Sequence, residues 1–215
     1  MSTAYSAQGT QVKIGTGSGG AKTITGVDVG NPTILTSAAH GFANGDVVTF
    51  SSGFTGADAA ELNGKTGVVQ FKTTNTFAVA FDTTGKTITA GTATATPVTY
   101  TKVANVDSFN GLDGSASTID KSDFDSTAKE FMLGLVDNGN LSINCNDDGD
   151  DAGQAALEAA RVAGSREAFK VIMPSGSIPN FTFYGYVMKF PISGQVDGKV
   201  QRTVDIKIDG AVTRA

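Results

Sequence analysis

Five stretches of this sequence carry residue types that can do chemistry. The first is Gly15-Thr16-Gly17-Ser18-Gly19-Gly20-Ala21-Lys22-Thr23. A phosphate-binding loop needs Gly, four residues, Gly, then Lys and Ser or Thr, opening into a helix whose N-terminus holds the anion. Here Ala21 separates Gly20 from Lys22, and Thr23-Ile24-Thr25-Gly26 has no helical character. A Gly-rich linker is the expectation. The second stretch, Asn144–Asp151, has the outline of a calcium loop, with Asn144, Asn146 and Asp148 at positions 1, 3 and 5 and Gly149 at 6. Position 12, which should be a bidentate Glu, is Ala155, and the first ligand is neutral. An acidic turn that caps the following helix is expected instead.

The other three are single residues or a loose group. His40 lies in the turn Ala38-Ala39-His40-Gly41-Phe42 and is the only histidine. No Ser–His–Asp or Cys–His set with that histidine is apparent. Cys145, the only cysteine, falls in a strand and reads as a small apolar filler. Asp120, Asp123 and Asp125 share one loop, where they are expected to be solvated or to bind a cation. A two-carboxylate glycosidase is compatible with the composition, but the chain has no Trp to stack on a sugar. The expectation is a non-enzyme with no catalytic residues, cofactor or metal site.

The elements around these residues are mostly strands. Residues 24–98 contain Thr33–Ser37, Asp46–Phe50, Gly67–Phe71, Thr76–Phe81 and Lys86–Thr89, separated by turns such as Ala43-Asn44-Gly45 and Asn63-Gly64. Short strands with Asn-Gly and Gly punctuation indicate a small all-β module. Gly17–Gly20 and Thr94–Pro97 flank it and look like hinges. After residue 98, Phe131–Val136 and Asn140–Asn144 flank Asp137-Asn138-Gly139, the signal of a hairpin. Ala152–Ala163 is the one good helix, with Asp150 or Asp151 as cap and Gly164 as stop. Glu167–Met173 and Phe181–Phe190 read as strands. In Val200–Val212, Val204, Ile206, Ile208 and Val212 alternate with Thr203, Asp205, Lys207 and Asp209, so one face is buried and the other wet. Asn105–Lys129 is acidic and aperiodic, which in a compact domain usually means contact with a partner.

With 215 residues, 40% hydrophobic and only 17% charged, the chain can bury a core and is rich in Gly and small polar residues. Its net charge of −5 and pI near 4.8 argue against a nucleic-acid-binding module. No apolar run reaches the roughly 18 residues of a membrane span. The opening MSTAYSAQGTQVKIG lacks a basic-then-apolar signal, and one cysteine excludes an intrachain disulfide; assembly in a reducing host cytoplasm is expected.

Several stretches, in order, resemble the major tail tube protein of long, non-contractile-tailed (siphovirus) bacteriophages. They are Tyr5–Gly15, Thr118–Phe131, Gly134–Gly139, Gly153–Leu157, Phe183–Val187 and the closing strand through Asp209-Gly210-Ala211-Val212. Asn31-Pro32, Ala39-His40-Gly41, Asn44–Val48 and Glu61–Lys65 resemble a small β module recurrent in phage structural proteins. The resemblance implies a mainly β fold: a tail-tube β-sandwich or barrel with one flanking α-helix, plus the inserted small all-β domain. Residues 1–23 would form an N-terminal arm and the first part of the tube domain, 24–98 the Thr-rich decoration domain, and 99–215 the tail-tube domain. It also implies a virion protein whose hexameric rings stack into a tube around the tape-measure protein. The rings would meet distal tail and tail terminator proteins, conduct DNA without binding it specifically, and not insert into a membrane. Tyr5, Gln8, Thr118, Asp120, Asp123, Phe124 and Asp125 are candidate inter-subunit or inter-ring contacts. Thr203, Asp205, Lys207 and Asp209 are candidates for the lumen wall, a solvent-facing outer sheet being the alternative. The alternative function is a surface-binding module in which residues 24–98 attach to a host surface.

Overall fold

The structure is a computed structural model that describes residues 4–176 and 178–214. Its strands are β1 (Gln11–Ser18), β2 (Lys22–Thr23), β3 (Gly26–Asp28), β4 (Thr33–Thr36), β5 (Val47–Phe50), β6 (Thr66–Val68), β7 (Thr76–Val79) and β8 (Thr94–Lys102). They continue as β9 (Val106–Gly111), β10 (Ser115–Asp120), β11 (Phe131–Asp137) and β12 (Asn140–Asn146). Helix α1 (Ala152–Ala163) follows, then β13 (Glu167–Ile172), β14 (Phe181–Lys189), β15 (Ile192–Ser193) and β16 (Gln201–Arg214). The mainly β class with one α-helix is as expected.

The chain divides into two compact units. The first comprises Met1–Val103, Ala168–Thr182 and Thr213–Ala215. Its strands run in the order β6-β5-β8-β1-β13, with β2 also on β8, and β3-β4-β7 form a separate small sheet. Val12 and Ile14 of β1 are buried, as are Phe169 and Val171 of β13; Ile14 stands opposite Phe169 in the register. Residues 24–95 have a core of their own, built on Leu35, Val48, Phe50, Leu62, Phe77 and Val79. Each fully buried side chain of this kind contributes about 1.5–3 kcal/mol.

Of the segments expected to be hinges, Thr94–Pro97 lies within β8 and Gly17 and Ser18 end β1, while Gly19 and Gly20 lie between β1 and β2. β8 carries the chain from residue 94 to 102 without a break, because Thr94-Ala-Thr-Pro-Val-Thr-Tyr-Thr is dominated by β-branched and aromatic residues. It pairs with β5 through residues 95–97 and with β1 through 98–102. The glycines opposite it permit close approach: a Cβ on Gly15 would come within 2.8 Å of Val98 Cγ1, and one on Gly19 within 2.9 Å of Pro97 Cγ. The Gly19 N–H donates to the Pro97 carbonyl at 2.7 Å. The Gly-rich run thus ends β1 and leads into β2, without the helix N-terminus that a phosphate loop needs. The turn before β5 is tied down as well. Thr182 Oγ1 donates to the Gly45 carbonyl at 3.0 Å, and the Lys170 ammonium to Asp46 at 3.1 Å.

The second unit comprises Ala104–Glu167 and Phe183–Val212. Its strand order is β14-β16-β12-β9, with β15 also on β16. Leu141 opposes Ile206 and Ile143 opposes Val204, all four buried. The wet-face/dry-face alternation of the last strand is as expected from Thr203 to Asp209, but Val212 is only half-buried because the alternation stops at Gly210. α1 spans the expected residues: Asp151 Oδ2 accepts the Gln154 N–H at 2.7 Å, and Gly164 ends the helix in the left-handed region at φ 61°. Gln154 is itself buried, its amide donating to the Asn146 and Ala104 carbonyls at 2.9 and 3.3 Å.

Two expectations for this region are corrected. Asn105–Lys129 is not aperiodic coil, since it contains β9 and β10. The Asp137-Asn138-Gly139 turn forms, with the Gly139 N–H on Asp137 Oδ1 at 2.9 Å, but it does not close a hairpin between β11 and β12. Both edges of β12 are taken by β9 and β16, and β11 pairs with β10 instead. A turn signal fixes where the chain reverses, not which strand pairs.

Candidate assembly surfaces

His40 and Cys145, the residues with the most chemical potential in the sequence, are core residues. His40 is 2% exposed. Its Nδ1 accepts the Phe42 N–H at 3.0 Å, its Nε2 faces the Thr76 carbonyl at 3.3 Å, and its ring packs on Phe42 and Phe77. Both ring nitrogens thus have a partner. Cys145 is buried on β12, and burial, reinforced by the charge of Asp147, raises its thiol above the ordinary value. Neither is presented to a substrate. The acidic stretch 147–151 is spent on local structure: Asp147 pairs with Arg202, Asp148 accepts from Asn105, and Asp151 caps the helix.

Two surfaces of the second unit are built differently from ordinary solvated protein. The first is the hairpin of β10 and β11. These strands form a two-stranded sheet of their own, with Thr118 opposite Leu133, Ile119 opposite Met132 and Asp120 opposite Phe131; the register shifts between Ala116 and Thr118. Successive side chains in a strand point to opposite faces. Met132 with Ile119 therefore lies on one face, and Leu133 with Phe131 on the other. All four are exposed, together with Leu135 at 91% and Val136. A lone two-stranded ribbon is marginal in water, and soluble monomers rarely expose apolar area of this extent.

The turn of this hairpin carries five of the seven contact candidates on or beside it. Thr118 and Asp120 are on β10; Asp123, Phe124 and Asp125 are in the connection. Lys121 pairs with Glu130 at 2.9 Å and Lys129 with Asp120 at 3.7 Å. Hydrogen bonds from the Ser122 hydroxyl and N–H, with help from Lys129, hold the Asp120 carboxyl below its ordinary value. Asp123 accepts from the Asp125 N–H and the Ser126 hydroxyl, which folds the tip and leaves Phe124 fully exposed. Tyr5 and Gln8 belong to the first unit, in the exposed segment before β1.

The second surface is the polar face of β9, β12 and β16. Thr203 Oγ1 donates to Asn144 Oδ1 at 2.9 Å, and Asn144 Nδ2 donates to Ser108 Oγ at 3.1 Å, so one hydrogen-bonded row crosses three strands. In the next row Ser142 donates to Asp205 at 2.8 Å. Lys207 donates to both Asp137 oxygens at 2.7 Å, which, with the Gly139 N–H, draws the Asp137 carboxyl below its ordinary value. Asp209 pairs with Arg166, whose guanidinium also lies 4.1 Å from the Tyr184 ring centre. A groove of about 440 Å³ opens here between Asn110, Asp113, Ser142, Met188 and Asp205. All four lumen candidates are half-exposed, and each makes its own side-chain contact to a residue outside β16. The amide and hydroxyl partners Ser108, Ser142 and Asn144, and the groove residue Asn110, come from neighbouring strands, and Asn140-Leu-Ser-Ile-Asn-Cys-Asn146 alternates as cleanly as β16. The exposure of the apolar residues of β11 is masked in the sequence, because the Asp137-Asn138-Gly139 turn points to pairing with β12.

Comparison of the sequence with curated proteins gave no match. Among solved structures, a chain from "Virion of native gene transfer agent (GTA) particle" superposes with a TM-score of 0.48 at 15% identity, covering 54% of this chain and 88% of that one. The family model described as "Lambda phage tail tube protein, TTP" matches residues 79–215, more than half of the chain. The chain belongs to the lambda phage tail tube protein family, whose members are structural proteins of the virion tail.

Proposed function

We propose that copies of this chain associate into hexameric rings that stack into the tail tube, enclose the tape-measure protein during assembly and later let DNA pass. The observation that carries this reading is the β10–β11 hairpin, apolar on both faces and exposed in the single chain. A ribbon of this kind is marginal on its own and gains stability when its faces are covered, and covering it with further copies gives self-assembly. The acidic tip and the exposed segment with Tyr5 and Gln8 are proposed as contacts between subunits or rings.

The polar face with Thr203, Asp205, Lys207 and Asp209 is proposed as the wall of the lumen. Lys207 pairs with Asp137 and Asp209 with Arg166, Asp205 accepts from the Ser142 hydroxyl, and amides and hydroxyls fill most of the rest. Such a surface gives DNA no run of cations to neutralise its phosphates, so passage costs no tight intermediate. The protein would act by geometry alone, with no catalysis. Distal tail and terminator proteins would cap the same ring-to-ring contacts at the two ends.

Residues 24–98 are proposed as a decoration domain carried by the tube domain. A role in attachment to a host surface is favoured by one feature: Phe71 is 73% exposed and holds a φ of 45°, a left-handed conformation that a bulky side chain rarely adopts. Repetition along a tube would make a weak contact at that residue multivalent. Electron microscopy of the purified protein at high concentration tests the assembly reading, and binding of whole tubes to host cells, with and without Phe71→Ser, tests the second.

A further inference from the structure

Within the second unit, two exposed patches are complementary and do not cover each other. One is the hairpin tip. Its connection from Asp120 to Glu130 holds four carboxylates and two lysines, a net charge of −2, with Phe124 wholly exposed between Asp123 and Asp125. Both lysines are already committed to Glu130 and Asp120.

The other patch is the second hairpin of the unit, formed where β14 and β15 turn back into β16. Ile192 opposes Arg202, Ser193 opposes Gln201, and the Pro191 carbonyl accepts the Thr203 N–H at 3.3 Å. Met188 and Lys189 are therefore at its base, and Val196 and Lys199 at its tip. Met188, Ile192, Val196 and Val200 are exposed, Val196 completely. Residues 188–200 carry Lys189, Lys199 and Asp197, a net +1. Among the described residues of this unit, Lys121, Lys129, Arg166, Arg202 and Lys207 each have a carboxylate partner, whereas Lys189 and Lys199 have none in ion-pair range. Arg161 also lacks one, but it lies one helical turn from Glu158 among alanines and has no comparable apolar surround.

An aromatic knob between carboxylates and an apolar patch flanked by unneutralised lysines are the two halves of one contact. Phe124 and Val196 are both fully exposed in the single chain, so the halves must meet between copies. We infer that the Phe124 tip of one subunit seats on the Lys189–Lys199 hairpin of the next. This rests on the self-assembly reading above and names the receiving surface. Two different patches on one chain make a heterologous, head-to-tail contact, which propagates as a ring or filament and does not stop at a dimer. Charge complementarity across it sets orientation and weakens as salt screens it.

Paired cysteines test the inference on the full chain. Phe124→Cys with Val196→Cys, oxidised mildly in assembled protein, should give a ladder of dimer, trimer and higher species on a non-reducing gel. Either single variant should give dimer at most, and Cys145, being buried, should stay silent. A charge exchange provides a second reading. Asp125→Lys and Lys199→Asp should each cut sedimentable assembly at least tenfold, and the two together should restore most of it. Tubes without a ladder, or no restoration by the exchange, would overturn this contact and leave the tube reading intact. No tubes and no ladder from any preparation would overturn both.

Discussion

The ammonium of Lys170 on β13 donates to Asp46 Oδ1 at 3.1 Å, and both side chains are largely shielded from water. Asp46 uses its other oxygen to accept the Ala43 N–H at 2.8 Å, so one carboxylate shapes the turn before β5 and fixes that turn to β13. With the Thr182–Gly45 hydrogen bond, this ties the turn before β5 to two other segments of the first unit.

Removing the pair should therefore be costly. A hydrogen bond to a charged group contributes about 1.5–3 kcal/mol, and in a chain of this size 1 kcal/mol moves Tm by about 2–4 °C. Lys170→Met should lower Tm by several degrees in a scanning-calorimetry experiment, with Lys170→Asp/Asp46→Lys recovering part of the loss. An unchanged Tm would mean the contact is not made.

The glycines along β1 differ in what they can tolerate. Gly15→Val should cost about 1–3 kcal/mol through overpacking against Val98 and Ala168. Gly20→Ala should be near neutral, since nothing lies within 4 Å of the added Cβ. Chemical denaturation of the two variants side by side checks the contrast; equal effects would contradict the packing of β8 on β1.

The register also says where a shortened chain could be rejoined. Ser18 stands directly opposite Val98. Replacing residues 19–97 by Asn-Gly should close β1 onto β8 as a two-residue hairpin. The shortened chain should keep its β-sheet circular dichroism and still assemble. A folded chain that cannot assemble would give residues 24–98 a part in the tube itself.

Acid should act through the exposed carboxylates. Asp137 is lowered from 3.8, first by Lys207 and then by Gly139, and Asp58, Asp82 and Asp120 move the same way through local hydrogen bonds. A lowered carboxyl binds its proton less readily folded than unfolded. Its contribution is present above about pH 3.8 and is lost as pH falls through the lower folded value. Asp137→Asn should flatten the fall of stability below that pH. An acid limb identical to that of the parent would contradict the Lys207 pairing.

The sequence was most informative where one residue acts alone. Asp151 and Gly164 mark the ends of α1 because capping is local, and β16 is legible because alternate residues are buried. Partner choice was not legible. Asp137-Asn138-Gly139 announces a reversal, yet β11 leaves for β10 because β9 and β16 occupy both edges of β12. Phe131-Met-Leu-Gly-Leu-Val136 carries the clue in its lack of alternation, which a strand needs only when both faces are to be covered. His40 read as a turn residue because nothing in Ala38–Phe42 shows that the rings of Phe42 and Phe77 close over it. On the polar face, Thr203, Asp205, Lys207 and Asp209 were found from their own strand, while Ser108, Ser142 and Asn144 enter only through pairing.

The central claim is that the exposed hairpin drives assembly. Its most direct test is negative-stain electron microscopy of the purified protein beside Leu133→Ser/Leu135→Ser, both near 10 mg/ml or about 0.5 mM by the chain mass of 21.9 kDa. The parent should form tubes or stacked rings, and the variant only monomers with an unchanged fold by circular dichroism. Tubes formed equally well by the variant would contradict that claim.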